Sequence, residues 1–208
     1  MKHVLAAADP KSRSGEPRKE PFLLPVFLKL QGREVLLIGG GRVAGTKLET
    51  LLAAGARVTV VAPEVREDVC RPGVEIRRRP FEPDDLNGAW FAVAAATPEI
   101  NRQVEAAAEA RRVFVNAVDD PLAATAFLGA VIRRADVAVA ISTGGRSPAL
   151  AGLLREALEV LLPDEEEAGS WLAAAEVLRA NWRASAVPIA ERRPLLLRAL
   201  NELYGARK

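Results

Sequence analysis

The sequence predicts an α/β fold built on a doubly wound parallel sheet, and three observations carry that prediction. Strand-like runs alternate with helical segments and short loops over residues 21–128, the rhythm of right-handed strand–helix–strand crossovers. The first run, Glu34-Val35-Leu36-Leu37-Ile38, is continuously apolar after its first residue, as a strand covered on both faces must be. It ends directly in Gly39-Gly40-Gly41, the punctuation of a tight strand-to-helix turn.

The elements follow in order. Residues 1–20 are rich in Lys, Arg, Ser, Pro and Glu and lack apolar periodicity, so they are expected to form a flexible extension. After the first strand, residues 43–54 place Val43, Leu48, Leu51 and Leu52 near one helical face, and Gly55 is the C-terminal stop. Residues 57–61 are a second strand ended by Ala62-Pro63; 74–77 and 90–95 are two more. Pro98 opens a helix through Arg111, and 113–116 is the next strand. A strand at 137–141 then runs through Ser142-Thr143-Gly144-Gly145 into a helix from Pro148 to Leu162, stopped by Pro163. Three units are expected beyond the extension: a main domain at 21–128, a small α+β segment at 129–163 and a helical C-terminal cap at 164–208.

Composition narrows the function. A chain of 208 residues, 50% hydrophobic, can bury one good core and a smaller appended unit. No apolar run approaches the roughly 20 residues that cross a bilayer, and the N-terminus turns polar too early for a signal peptide. A cytoplasmic protein without a membrane partner is expected. Net charge is only +2, with both signs interspersed, which argues against nucleic acid as a partner. The one histidine, His3, lies in the extension, so a histidine base, a Ser-His-Asp triad and a histidine-rich metal site are excluded. Proton transfer falls to Asp, Glu, Lys, Tyr or water. The one cysteine, Cys70, has no disulfide partner and reads as incidental; no metal ligand set is expected.

Gly39-Gly40-Gly41-Arg42-Val43-Ala44 fits the pattern Gly-x-Gly-x-x-Gly/Ala of a Rossmann-type dinucleotide site. Gly39 makes the tight turn, Gly41 lets the backbone approach a pyrophosphate, and Ala44 keeps helix and strand close. The pyrophosphate then meets the helix N-terminus. The second strand ends in Ala62-Pro63-Glu64, with no acid at its very tip for the ribose hydroxyls. Glu64 stands two residues late, and Arg42 leaves room for a 2′-phosphate; NAD is expected ahead of NADP.

Further stretches resemble a known family. Pro25-Val26-Phe27-Leu28, the glycine turn with Lys47, and Ala54-Gly55-Ala56-Arg57-Val58-Thr59-Val60 resemble the start of precorrin-2 dehydrogenases, including the N-terminal module of sirohaem synthase. Val115-Asn116-Ala117-Val118-Asp119-Asp120 and the run from Ala140 to Leu150 match that family's hallmark segments in order and spacing. The resemblance implies oxidation of precorrin-2, a polycarboxylate tetrapyrrole, to sirohydrochlorin with hydride passed to NAD. In some members iron insertion follows, with Fe2+ as second substrate. It implies an intertwined homodimer formed through the segment after the Rossmann domain. It also implies that Arg42, Val43, Pro63 and Glu64 contact NAD, that Thr97 belongs to the cofactor-side loop, and that Asp119 is the catalytic carboxylate.

The bare residues agree. Asp119 lies just beyond the carboxyl end of a strand, where open parallel sheets place their ligands, and a carboxylate is the available base. Read without the family, Asp119-Asp120-Pro121 simply caps a following helix; with it, base work falls to Asp119 and capping to Asp120. Ser142, Thr143, Gly144 and Arg146 offer hydroxyls, N–H groups and a guanidinium to a substrate rich in carboxylates, while Ser147 before Pro148 is equally a helix cap. Arg77-Arg78-Arg79 reads as a solvated surface run. This segment departs from the family at Phe127-Leu128-Gly129-Ala130, where many members carry a proline after the Phe, and no methyltransferase motif is found. Two other readings stay open: an NAD-binding sensor without turnover, which needs neither Asp119 nor an anion turn, and an oxidoreductase for another small acid.

Overall fold

The computed structural model describes residues 22–205; the extension expected at 1–20 lies outside them. Five parallel strands form the main sheet, β1 (Glu34–Ile38), β2 (Arg57–Val61), β3 (Glu75–Arg77), β4 (Phe91–Ala94) and β5 (Phe114–Ala117), in the order β3-β2-β1-β4-β5. After β3, at one edge, the chain crosses back to the far side of β1 to form β4, so the carboxyl ends of β1 and β4 flank a topological switch point.

Side chains of successive residues in β1 enter opposite cores. Val35 and Leu37 join Leu48 and Leu51 of α1 (Arg42–Ala53) on one face; Leu36 and Ile38 join Val104 and Ala108 of α2 (Pro98–Glu109) on the other. Each such buried aliphatic side chain contributes about 1.5–3 kcal/mol relative to exposure. This double cover is why β1 shows no polar alternation.

The second unit differs from the expectation by one strand. β6 (Ala130–Arg134) pairs antiparallel with β7 (Val137–Ile141) through a hairpin turn at Ala135-Asp136, with Ala135 at φ 48°. Only Ile132 of β6 is buried, so Ala-Val-Ile-Arg-Arg carries too short an apolar signal to read as a strand. Helices α3 (Pro148–Leu161) and α4 (Glu165–Ala184) pack against this hairpin, and α5 (Ile189–Gly205) packs on α4. Ser147 caps α3 by accepting from the Leu150 N–H at 3.3 Å, and Asp164 caps α4 by accepting from Glu167 N–H at 2.8 Å. Arg134 and Arg155 both pair with Glu159, joining β6 to α3. Among the described residues no helix is long and apolar enough to cross a membrane.

Two expectations are corrected. No helix follows Asp119-Asp120-Pro121; Asp120 instead closes a turn, receiving the Ala123 N–H at its carbonyl (3.2 Å) and at its carboxylate (3.4 Å). Arg77-Arg78-Arg79 is not a solvated run, because Arg77 and Arg79 both grip the buried Asp85.

Candidate active site

The three glycines meet three different constraints. Gly39 sits at φ 116°, and a Cβ there would lie 2.2 Å from the Ala95 carbonyl oxygen, so only glycine makes this turn beside β4. A Cβ on Gly40 would lie 2.1 Å from the Glu64 carbonyl oxygen, because the strand leaving β2 crosses directly over the turn; Arg66 N–H donates to Gly40 O at 3.0 Å. The role of Gly40 was not read from the sequence, since it depends on a segment more than twenty residues away. A Cβ on Gly41 would meet nothing within 4 Å, which leaves space above the turn for a ligand.

Helix α1 begins there without a side-chain cap and without an acid in its first turn. Its first intrahelical bond is Gly45 N–H to Gly41 O at 3.1 Å, so the N–H groups of Arg42, Val43 and Ala44 have no acceptor within the helix. Ala44 is fully buried against the sheet. An open helix N-terminus under a glycine turn with room above it suits a pyrophosphate. At the tip of β2, Pro63 and Glu64 are both exposed. Thr97 is the residue before α2 and is also exposed. The Glu99 carboxyl is held below its usual range by its own backbone N–H and by the neighbouring Thr97 hydroxyl.

Beside the turn, over the carboxyl ends of β4 and β5, lies a cavity of about 480 Å³ lined by Val43, Ala95, Ala96, Pro98, Asn101, Val118, Asp119 and Asp120. Asp119 is exposed and adopts a left-handed backbone, φ 56°, two residues past β5. Val118 N–H donates to Ala94 O at 2.8 Å, carrying the β4–β5 pairing up to the residue before it. The cavity therefore holds the one expected base together with Val43, and it adjoins Pro98 next to Thr97. Asn101, 2% exposed, forms part of the wall and was not singled out in the sequence. The signal was present: Asn101, Val104 and Ala108 occupy one buried stripe of α2, and an amide in an apolar stripe asks for partners.

The turn after β7 does not line this cavity. Much of its polar capacity is used internally. The Thr143 hydroxyl donates to Ser147 O at 3.0 Å and accepts from Ser147 N–H at 3.1 Å, so Thr143 braces the turn and offers little to a ligand. Ser142 Oγ accepts from Gly144 N–H at 3.1 Å, and Arg146 is exposed. Gly145, at φ 74°, packs so closely on the loop after Asp119 that a Cβ would lie 2.7 Å from Phe127 and 3.1 Å from Pro121. The Asp119 loop and the Ser142–Arg146 turn are thus neighbours back to back, joined by Pro121, Phe127 and Gly145.

Comparison with known proteins places this architecture. Residues 26–130 match the family described as "Putative NAD(P)-binding", and residues 136–161 match "Sirohaem biosynthesis protein central". Siroheme synthase 3 of Aeromonas hydrophila is 42% identical over 175 residues, covering 82% of this chain and 37% of that protein. Siroheme synthase of Citrobacter koseri is also 42% identical over 175 residues, covering 82% and 38%. The chain thus spans under two fifths of these relatives. The solved structure of "SirC, precorrin-2 dehydrogenase" superposes with a TM-score of 0.62 and 26% identity, covering 85% of this chain and 88% of that one. Because the match over residues 26–130 spans half of the chain, the chain belongs to the family described as "Putative NAD(P)-binding", and its second unit carries the match to the sirohaem-biosynthesis central segment.

Proposed function

We propose that this protein is an NAD-dependent dehydrogenase that oxidises precorrin-2 to sirohydrochlorin, with Asp119 as the base. The observation that carries the reading is the cavity in which Asp119 stands beside the open N-terminus of α1, at the switch point of the sheet. The likeness to SirC extends over 88% of that chain, so it takes in the second unit as well as the dinucleotide fold.

The glycine turn and the first N–H groups of α1 would hold the pyrophosphate, with Arg42, Pro63 and Glu64 on the adenosine side and Val43 and Thr97 on the nicotinamide side. NAD, when bound, supplies the hydride acceptor. The Asp119 carboxylate takes the proton that leaves the macrocycle with that hydride, so one C–H pair of electrons goes to the cofactor and one proton to the carboxylate, then to solvent. The Ser142 hydroxyl and Arg146 bind substrate carboxylates, Arg146 through paired charge-assisted hydrogen bonds, with Gly144 shaping the turn between them. Where Fe2+ insertion follows, the same carboxylate is placed to receive the pyrrole protons.

We place the enzyme in the cytoplasm as a homodimer of three units, 21–128, 129–163 and 164–208. Support for the dimer comes from apolar side chains left exposed on the second unit, among them Val131, Val137, Leu150, Leu153 and Leu154. The test is anaerobic incubation with precorrin-2 and NAD, following NADH absorbance and tetrapyrrole colour beside an Asp119→Ala control. NADH formation that falls at least a hundredfold in the control supports the assignment, a loss in the range of general-base catalysis at about 10²–10⁴-fold. NAD binding without turnover would return the chain to the sensor reading.

A further inference from the structure

Asn101 spans the cavity wall with two hydrogen bonds. Its Oδ1 accepts from Ala96 N–H at 3.2 Å, in the turn after β4, and its Nδ2 donates to Val118 O at 3.3 Å, in the turn after β5. That second acceptor has a particular place. The Val118 carbonyl belongs to the Val118–Asp119 peptide, and the orientation of that peptide sets φ of Asp119, here the left-handed 56°. That region is uncommon for a residue with a Cβ, though Asp enters it more readily than most, and a bond to the flanking peptide holds the conformation in place. A side chain that does this fixing must offer one acceptor and one donor in a rigid fork, and among side chains of this size the Asn amide does so at every pH.

We propose that Asn101 is a positioning residue for the dehydrogenation: by gripping the Val118 carbonyl it fixes the Val118–Asp119 peptide and holds the Asp119 carboxylate at the cavity. The inference rests on the reading of Asp119 as the base. Asn101 itself takes no proton; its effect passes through Asp119. Loss of the grip lets the peptide rotate, and misplacement of a catalytic group by about 1 Å costs on the order of a hundredfold.

The test compares Asn101→Ala, Asn101→Asp, Asp119→Asn and the double variant Asn101→Ala/Asp119→Asn in the full chain. It measures NAD affinity by calorimetry and kcat and KM with precorrin-2 across pH. Asn101→Ala is expected to bind NAD as the parent does, to lose kcat by about 10- to 100-fold with KM little changed, and to cost nothing further once Asp119 is Asn. Asn101→Asp supplies a finer readout. Protonated, its carboxyl copies the amide, with a carbonyl oxygen for Ala96 N–H and a hydroxyl for Val118 O; ionised, it loses the donor. The charged groups lining the cavity with it are Asp119 and Asp120, its own helix carries Glu99, Arg102, Glu105 and Glu109, and α1 and the turn after β4 contribute Val43, Ala95 and Ala96 to the lining. The kcat of Asn101→Asp, divided by that of the parent at each pH to cancel the titration of Asp119, is expected to rise as pH falls.

A parental kcat in Asn101→Ala, a loss confined to NAD affinity, or a loss that multiplies with that of Asp119→Asn overturns the proposal. If Asn101→Ala does not fold, the pH ratio of Asn101→Asp decides, and a flat ratio overturns it. Full activity in Asp119→Asn overturns the base assignment first, and the positioning role with it. Low activity in Asp119→Asn beside a normal Asn101→Ala removes the positioning role alone.

Discussion

Asp85 shows what one buried carboxylate demands of its neighbours. Its side chain is 1% exposed and accepts from Arg77 at 3.0 Å, from Arg79 Nη1 at 2.8 Å and from the Glu82 N–H at 3.0 Å. Burial pushes its carboxyl up, but the bonds from Arg79, Glu82 and Arg77 together outweigh burial and hold it below the usual carboxylate range. A group depressed in the folded state stabilises above its unfolded value, near pH 4, and that contribution is lost as pH falls through the lower native value. Replacing Asp85 with Ala removes the buried acceptor shared by two guanidinium groups, which keep Glu75 and Glu82 as partners, and is expected to cost about 1–3 kcal/mol in urea unfolding at neutral pH. The cost should shrink below about pH 4; an equal cost at pH 7 and pH 3 would show that the ion pairs are not its source. The arginines were visible in the sequence, but their partner was not, since nothing local marks Asp85 among Asp84-Asp85 as the inward one.

At the scale of elements, the glycine turn separates packing from binding. A Cβ at Gly40 collides with the backbone of Glu64, and backbone cannot rotate away as a side chain can, so Gly40→Ala is expected to destabilise the cofactor-free protein by about 1–3 kcal/mol. Gly41 has open space and an ordinary φ of −85°, so Gly41→Ala should leave cofactor-free stability within about 0.5 kcal/mol. The same methyl occupies the approach of the pyrophosphate, and NAD affinity should fall at least about tenfold, about 1.4 kcal/mol. Thermal unfolding without NAD and calorimetry with it check both; a Gly41→Ala variant that binds NAD normally would mean that the turn does not cradle it. The pattern of glycines announced the turn, while only the fold revealed that Gly40 answers to β2 and not to the ligand.

For the whole molecule, the second unit leaves apolar side chains uncovered in a single copy. Leu153 and Leu154 of α3 are 63% and 43% exposed. Together with the exposed Val131 of the hairpin they are the apolar surface expected to meet a second copy. For the proposed homodimer, Leu153→Glu with Leu154→Glu is expected to give a monomer in analytical ultracentrifugation and to make unfolding independent of protein concentration. A double variant that sediments as the parent does would place the dimer contact elsewhere.

The sequence by itself determined the alternation of strands and helices, the glycine turn at its head and a carboxylate just past β5. Those features are carried by neighbours in the chain, through periodicity, turn geometry and strand ends. It left β6 unread, since one buried residue in five gives no period. Tertiary structure alone decided that Asp120 closes a turn without a helix, that Thr143 spends its hydroxyl inside its own loop, and that Gly145 packs on Pro121 and Phe127. It alone joined Asn101 to Val118, seventeen residues on. The physical reason is common to all of them: a polar group needing a partner, or a surface needing to be packed, finds it wherever the fold brings one, and that partner leaves no mark in the adjoining sequence.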